Sequence, residues 1–452
     1  MSDPITLGIL GLVVLVGLIA IRMPIAYAMI LVGGIGTMLV NGPALVLSQM
    51  KTLAWGQFAN YDLSVVPMFV LMGVLASKAG LSQALFRAAA AWLGHLRGGT
   101  AMAAIAACAG FGAVCGSSLA TASTMGRVAL PELRRYNYEP SLATGVLAAG
   151  GVLGILIPPS VVLIIYAIIV EANIVTMFAA ALIPGLLAVF LFIVTTAIYV
   201  TIWPDSGPAH SGAQRREVID ATLGVLPVFA IFGLVLGGIY GGVFNPTPGA
   251  SVGVFLVLIY GIARRTIGWV DGLDSLRSTA ITSGMIYLIL LGAELMKIFL
   301  SRIGLPQASA EWVLQSGLSP MTVMLVLLVV LIFLGCLMDS LSMILLVIPF
   351  FWPVLVDING GLYQSAEGAG FGLSTEDLKV WFGILALIVV ELGLITPPVG
   401  MNVFIISAIA SDVPMRLIFR GVAPFFMAEM VRVAILLAFP ALTLWLPALL
   451  SG

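Results

Sequence analysis

Four short stretches hold most of the groups in this chain that could bind an ion or a polar solute. Gly116-Ser117-Ser118-Leu119-Ala120-Thr121 gathers hydroxyls and a glycine inside an Ala/Gly-rich apolar run, and Met338-Asp339-Ser340-Leu341-Ser342 brings a carboxylate into a similar setting. Leu153-Gly154-Ile155-Leu156-Ile157-Pro158-Pro159-Ser160 and Leu392-Gly393-Leu394-Ile395-Thr396-Pro397-Pro398-Val399-Gly400 each place a double proline in a run long enough to cross a membrane. Proline lacks a backbone donor and clashes with the preceding turn, so a helix breaks there. In hydrocarbon such a break survives only where protein or a wet cavity covers the freed carbonyls. Those carbonyls, before the prolines at Gly154 and Ile157 and again at Gly393 and Thr396, join Ser and Thr hydroxyls as hard oxygen ligands. A cation such as Na⁺ takes that kind of ligand without the cost of burying a carboxylate. Helix amino termini meeting at the same place favour an anionic solute. Thr396, Gly400 and Asn402 add polar atoms beyond the second break. Close helix packing would also explain the small residues of the first stretch, and Asp339 could bind a cation, shape a substrate pocket or cap a helix start.

Composition decides the setting. Of 452 residues 61% are hydrophobic and 9% charged, with mean hydropathy +1.18, whereas a soluble domain is about a quarter charged. Long apolar runs without period-two alternation make this an all-α polytopic membrane protein rather than a barrel. The net charge of −1 and the lack of a basic tract leave nothing to recruit nucleic acid. Cys108, Cys115 and Cys336 lie in apolar surroundings without metal-ligand spacing and read as buried small residues. Only His95 and His210 could serve a serine nucleophile, and neither falls in a span, so an intramembrane hydrolase is disfavoured. No Walker motif is present, so energy comes from an ion gradient or from a partner.

The chain divides into amino-terminal scaffold helices (1–62), a first repeat (63–203), a linker with connecting helices (204–279) and a second repeat (280–450). The first repeat holds an interrupted hairpin at 98–131 and a proline-broken helix at 142–170; the second holds a hairpin at 321–356 and a broken helix at 380–410. Amphipathic segments precede both hairpins, at 81–97 and 307–315. A surface segment ending at Arg277 precedes the span from 280, and a single span is expected from 423 to 450. Arg22, Lys78, Arg87, Arg97, Arg134, Arg135, Arg215, Arg216, Arg264, Arg265, Arg277, Arg416 and Arg420 fall on one side, against Lys51, Arg302 and Lys379 on the other. The positive-inside rule then puts both termini outside the cytoplasm, with a retained first helix from about Ile5 to Ile21, preceded by Asp3 and followed by Arg22. The first hairpin enters from the cytoplasm and the second from outside. Inverted repeats with broken helices are a secondary-transporter architecture. Glu294 with Lys297, and Glu429 with Arg432, sit at i,i+3 and read as pairs that stabilise helix contacts or dock another subunit; Glu171 and Glu391 also lie at or in spans.

With these residues laid out, the chain resembles the large membrane subunit of tripartite ATP-independent periplasmic (TRAP) transporters over essentially its whole length. Gly112 to Thr121, Gly150 to Ser160, Gly335 to Asp339 and Glu391 to Gly400 carry the resemblance. It implies an elevator-type transporter of the ion-transporter superfamily, in a bacterial inner membrane. It further implies a Na⁺ gradient and an organic anion, a C4-dicarboxylate, sialic acid or other carboxylate. That anion would come from a periplasmic substrate-binding protein, and a small four-helix membrane subunit would work alongside. Family Na⁺ sites map onto Ser118, Thr121, Gly393, Thr396 and Val399. Inverted symmetry extends a second site to Gly154, Ile157, Ser160, Ser340 and Ser342, where Ile157 lacks the hydroxyl of Thr396. Ser117, Asp339, Ser340 and Asn402 are expected to face the substrate. A stand-alone divalent-anion/Na⁺ symporter of the same superfamily is the nearest alternative.

Overall fold

The computed structural model describes residues 4–21, 23–209 and 213–451; Asp3, Arg22 and His210, used above, lie outside the described residues. Every regular element among the described residues is helical. Among the described residues, seven helices are long and apolar enough to cross a membrane, or eight if one bent pair counts as a single span. The chain is a multi-pass membrane protein.

Three helices open it: α1 (Pro4–Ala20), α2 (Ile25–Asn41) and α3 (Pro43–Phe58). A first series follows, with α4 (Val65–Lys78), α5 (Leu81–Leu93), α6 (Gly99–Cys115), α7 (Ser118–Arg135), α8 (Pro140–Leu156), α9 (Val161–Ile169) and α10 (Ile174–Ile202). The connecting pair is α11 (Arg215–Tyr240) and α12 (Pro246–Ala263). The second series has α13 (Trp269–Arg302), α14 (Leu305–Gln315), α15 (Pro320–Gly335), α16 (Ser340–Asn359), α17 (Thr375–Gly393), α18 (Met401–Ile409), α19 (Met415–Ala438) and α20 (Ala441–Ser451). Both series run in one order: a candidate span (α4 with the turn before it, Tyr61–Lys78, or α13), a shorter helix, the hairpin α6–α7 or α15–α16, the broken pair α8–α9 or α17–α18, and a close in α10 or in α19 and α20.

Each interruption has a local cause. Between α6 and α7, Gly116 adopts φ 59°, a left-handed conformation that glycine takes without strain. Ser117 then caps α7 by accepting from the Ala120 N–H at 3.4 Å. Asp339 caps α16 through the Ser342 N–H at 3.2 Å, and Ser160 caps α9 through the Leu163 N–H at 3.3 Å. The α8–α9 pair bends by 45° at its prolines. In α17–α18, Pro397 and Pro398 cannot donate to the carbonyls of Gly393 and Leu394. The N–H groups of Thr396 and Asn402 take their place, each at 3.0 Å, and the Thr396 hydroxyl donates to the Leu392 carbonyl at 2.6 Å. The second break thus bonds its own backbone, where the sequence suggested a free Gly393 carbonyl.

Contacts across the bundle fix which ends share a face. At one face Arg134, ending α7, bonds Asp412 in the α18–α19 turn at 2.6 Å, and Ser141 at the start of α8 donates to the Leu417 carbonyl at 3.1 Å. At the opposite face Tyr166 in α9 donates to the Lys379 carbonyl of α17 at 2.7 Å, and the Asn359 side chain closing α16 donates to the Leu373 carbonyl at 3.2 Å. The base of the first hairpin therefore lies on the Arg134 face and that of the second on the Lys379 face. The two hairpins point at each other from opposite sides.

Two boundaries differ from expectation. The segment before residue 280 is not a separate surface stretch: α13 is one helix of 34 residues, about 50 Å long at 1.5 Å per residue. Its polar first turns stay helical because Asp271 accepts from the Gly268 N–H at 3.0 Å and lies with Asp274 near Lys78, 3.7 Å from each carboxylate. The final span is divided at Phe439-Pro440 into α19 and α20, since the residue before a proline is driven out of the helical region.

Candidate functional site

Each hairpin tip rests on the break of its own repeat, at glycine-sized distances. A Cβ on Gly154 of α8 would stand 2.4 Å from the Thr121 hydroxyl and 2.7 Å from the Ser117 carbonyl, and one on Gly116 would stand 3.0 Å from the Pro159 carbonyl. In the second repeat a Cβ on Gly393 would lie 2.4 Å from the carbonyl carbon of Gly335. Thr121 and Gly154 are thus neighbours, while Gly393 faces the other tip. The set of Ser118, Thr121, Gly393, Thr396 and Val399 is split between two tip-and-break contacts.

What joins the halves is Glu391. Its carboxylate is fully buried and accepts from the Ser118 hydroxyl on one oxygen and the Ser340 hydroxyl on the other. The sequence marked Glu391 as an acid in a span and as the first residue of a stretch carrying the family resemblance, but gave it no place in a site; an intramembrane acid just before the Pro-Pro motif is a functional candidate by default, and that is the signal that could have singled it out.

A cavity of about 470 Å³ lies against both tips. Ser117, Ser118 and Ala120 line it from α7 and its cap, Asp339, Ser340 and Leu341 from the start of α16, Gly73, Ser77 and Lys78 from α4, and Thr282 and Met285 from α13. The amino termini of α7 and α16 both reach this space, so two positive helix ends meet in it. A wider cleft of about 1520 Å³ lies between α5, α7, α11 and α12, walled by Arg87, Arg127, Glu132, Glu217 and Arg264, and Lys78 belongs to the walls of both.

Ser117, Ser118, Asp339 and Ser340 are therefore brought together at one cavity. Asn402 is not: it is buried, with its amide donating to the Ala148 carbonyl at 3.3 Å, and so fastens α18 to α8. Ser160 is spent on capping α9, and the Ser342 hydroxyl donates to Asp339. Ile157, Gly393, Thr396 and Val399 stand at the breaks, outside the cavity wall. Ser77 and Thr282 line the cavity without having been singled out, because nothing in their local sequence marks them, and Lys78, named before only as a charge on the cytoplasmic side, lines it too. Glu429 and Arg432 pair with each other, both without solvent exposure, and Arg432 also donates to the Pro184 carbonyl at 3.4 Å, tying α19 to α10.

Residues 12–442 match the family model described as "Tripartite ATP-independent periplasmic transporter, DctM component". The chain belongs to this family. The C4-dicarboxylate TRAP transporter large permease protein DctM of Pseudomonas aeruginosa is 32% identical over 389 residues, 86% of each chain. The sialic acid TRAP transporter large permease protein SiaM of Vibrio cholerae is 30% identical over 444 residues, 96% of this chain and 97% of that one. A solved structure, the Alcanivorax borkumensis YdaH transporter, shares the fold at a TM-score of 0.64, with 13% identity over 88% of this chain and 89% of the other. As a TRAP large permease subunit the chain is a transporter component, not an enzyme.

Proposed function

We propose that this TRAP subunit carries an organic anion into the cytoplasm in symport with Na⁺. A periplasmic substrate-binding protein delivers the anion, and a small four-helix membrane subunit completes the assembly in the bacterial inner membrane, with both termini of this chain periplasmic. The observation that carries the reading is the cavity between the hairpin tips, where the amino termini of α7 and α16 converge. Unpaired first-turn N–H groups and the helix dipole favour a carboxylate there. Asp339 sets a negative limit on one side of the same space. C4-dicarboxylates and sialic acid are the substrates in the names of relatives at 32% and 30% identity, so overall similarity supports an organic acid without choosing among them.

For Na⁺ the neutral oxygens around Thr121, the Ser117 carbonyl and the α8 break form a donor set of the right hardness. Transport proceeds by an elevator movement. The hairpins and broken helices travel as one body against α4 and α13, exposing the cavity first to the outside and then to the cytoplasm; Lys78, in the walls of both the cavity and the wider cleft, supports the cleft as the inner route. The test is reconstituted uptake in vesicles holding this chain and its small subunit, with the binding protein outside, over a panel of organic acids. Uptake should require both the binding protein and an inward Na⁺ gradient. Na⁺-driven uptake by this chain alone would make it a stand-alone symporter, and uptake indifferent to Na⁺ would remove the coupling ion.

A further inference from the structure

Glu391 has no counterpart in the first repeat. Aligning Leu153-Gly154 with Leu392-Gly393 puts Val152 opposite Glu391, and Val152 is an ordinary buried apolar residue. The carboxylate is thus a one-sided departure from the inverted symmetry, and it is used by both halves. Ser118 and Ser340 are the first helical residues of α7 and α16, immediately after the caps Ser117 and Asp339. Each donates its hydroxyl to a different oxygen of Glu391, and each also lines the cavity. Glu429 and Arg432 of α19, both without solvent exposure, are paired with each other.

We propose that Glu391 is a positioning residue that fastens both hairpin tips to α17 and so sets the width of the substrate cavity. The inference rests on the transport reading above. Glutamine at 391 still accepts from one serine and can donate to the other; leucine does neither.

Succinate and sialic acid serve as uptake probes in the reconstituted complex. Relative to wild type, Glu391→Gln should raise KM about threefold and Glu391→Leu at least about tenfold, with kcat changed much less in each, as expected when a bound geometry is lost. Ser118→Ala and Ser340→Ala should each raise KM severalfold alone and add nothing in the Glu391→Leu background, since the three groups form one network. A second measurement needs no transport: spin labels at Ala120→Cys and Leu341→Cys, with the native cysteines replaced, report the tip-to-tip distance in purified protein. It should broaden in the Ser118→Ala/Ser340→Ala pair. A wild-type KM in Glu391→Leu, serine effects that persist in that background, or an unchanged tip distance would overturn the proposal. Wild-type protein that moves no organic acid would instead overturn the transport reading, while the tip distance still judges Glu391.

Discussion

Trp381 lies away from the hairpin tips, yet it answers a need created by Pro440. The Leu436 carbonyl would ordinarily bond the N–H four residues on, which proline lacks, and the Trp381 indole N–H supplies it at 3.0 Å. Trp381→Phe keeps the buried ring and strands the carbonyl, so unfolding should become easier by about 1–3 kcal/mol; a thermal or denaturant melt that is unchanged would refute this use of the indole. At the Arg134 face, the hydrogen bond from Arg134 holds the Asp412 carboxyl below its ordinary value of 3.8. A depressed folded pKa contributes stability that is present above the ordinary value and lost as pH falls through the folded one. Asp412→Asn should therefore melt slightly below wild type at neutral pH, and the gap should close as pH falls below the ordinary value of 3.8; a gap constant down to acid pH would contradict it. At this scale the sequence was legible in part. Ser117 and Asp339 could be singled out by type and setting, and a helix cap was one of three readings open at Asp339, the one its bond to the Ser342 N–H bears out; the capping by Ser117 could not be read. Ser118 and Glu391 are 273 residues apart, and no local pattern records that a hydroxyl and a carboxylate so distant will bond.

The hairpins and broken helices were readable because glycine and proline punctuate them. Gly116 permits a backbone turn that other residues resist, and each Pro-Pro pair ends a run of helix whatever surrounds it. The start of α13 was not readable. Asp271, Asp274 and Arg277 look like a surface loop until Lys78 of α4 is seen beside the two acids. Close crossings are likewise invisible in one dimension. Gly145 of α8 meets Gly421 of α19 so tightly that a Cβ on Gly145 would stand 2.3 Å from the Gly421 carbonyl carbon. Backbone cannot yield as a side chain can, so Gly145→Leu should force the helices apart at a cost of about 1–3 kcal/mol or more. Its folded yield in detergent should fall well below that of Gly34→Leu, since nothing lies within 4 Å of a Cβ at Gly34. Equal yields would argue that this crossing is not tight.

At the scale of the whole molecule, two inverted halves place their hairpin tips on either side of one cavity, against the separate wall of α4 and α13. The same arrangement makes hairpin 1 touch that wall closely: a Cβ on Gly73 of α4 would stand 2.8 Å from Cys115 Cα. For an elevator this contact is temporary, and the residues at the tip change which side they face. Ala120 is exposed, at the tip and on the cavity wall, which makes it the direct reporter. With Cys108, Cys115 and Cys336 replaced, Ala120→Cys should react with a membrane-impermeant thiol reagent applied from the cytoplasmic face. The label should block uptake, and substrate with Na⁺ should shift reactivity toward the periplasmic face. A tip cysteine that reacts from neither face, or whose labelling leaves uptake intact, would contradict the claim that this cavity is where the transported anion binds.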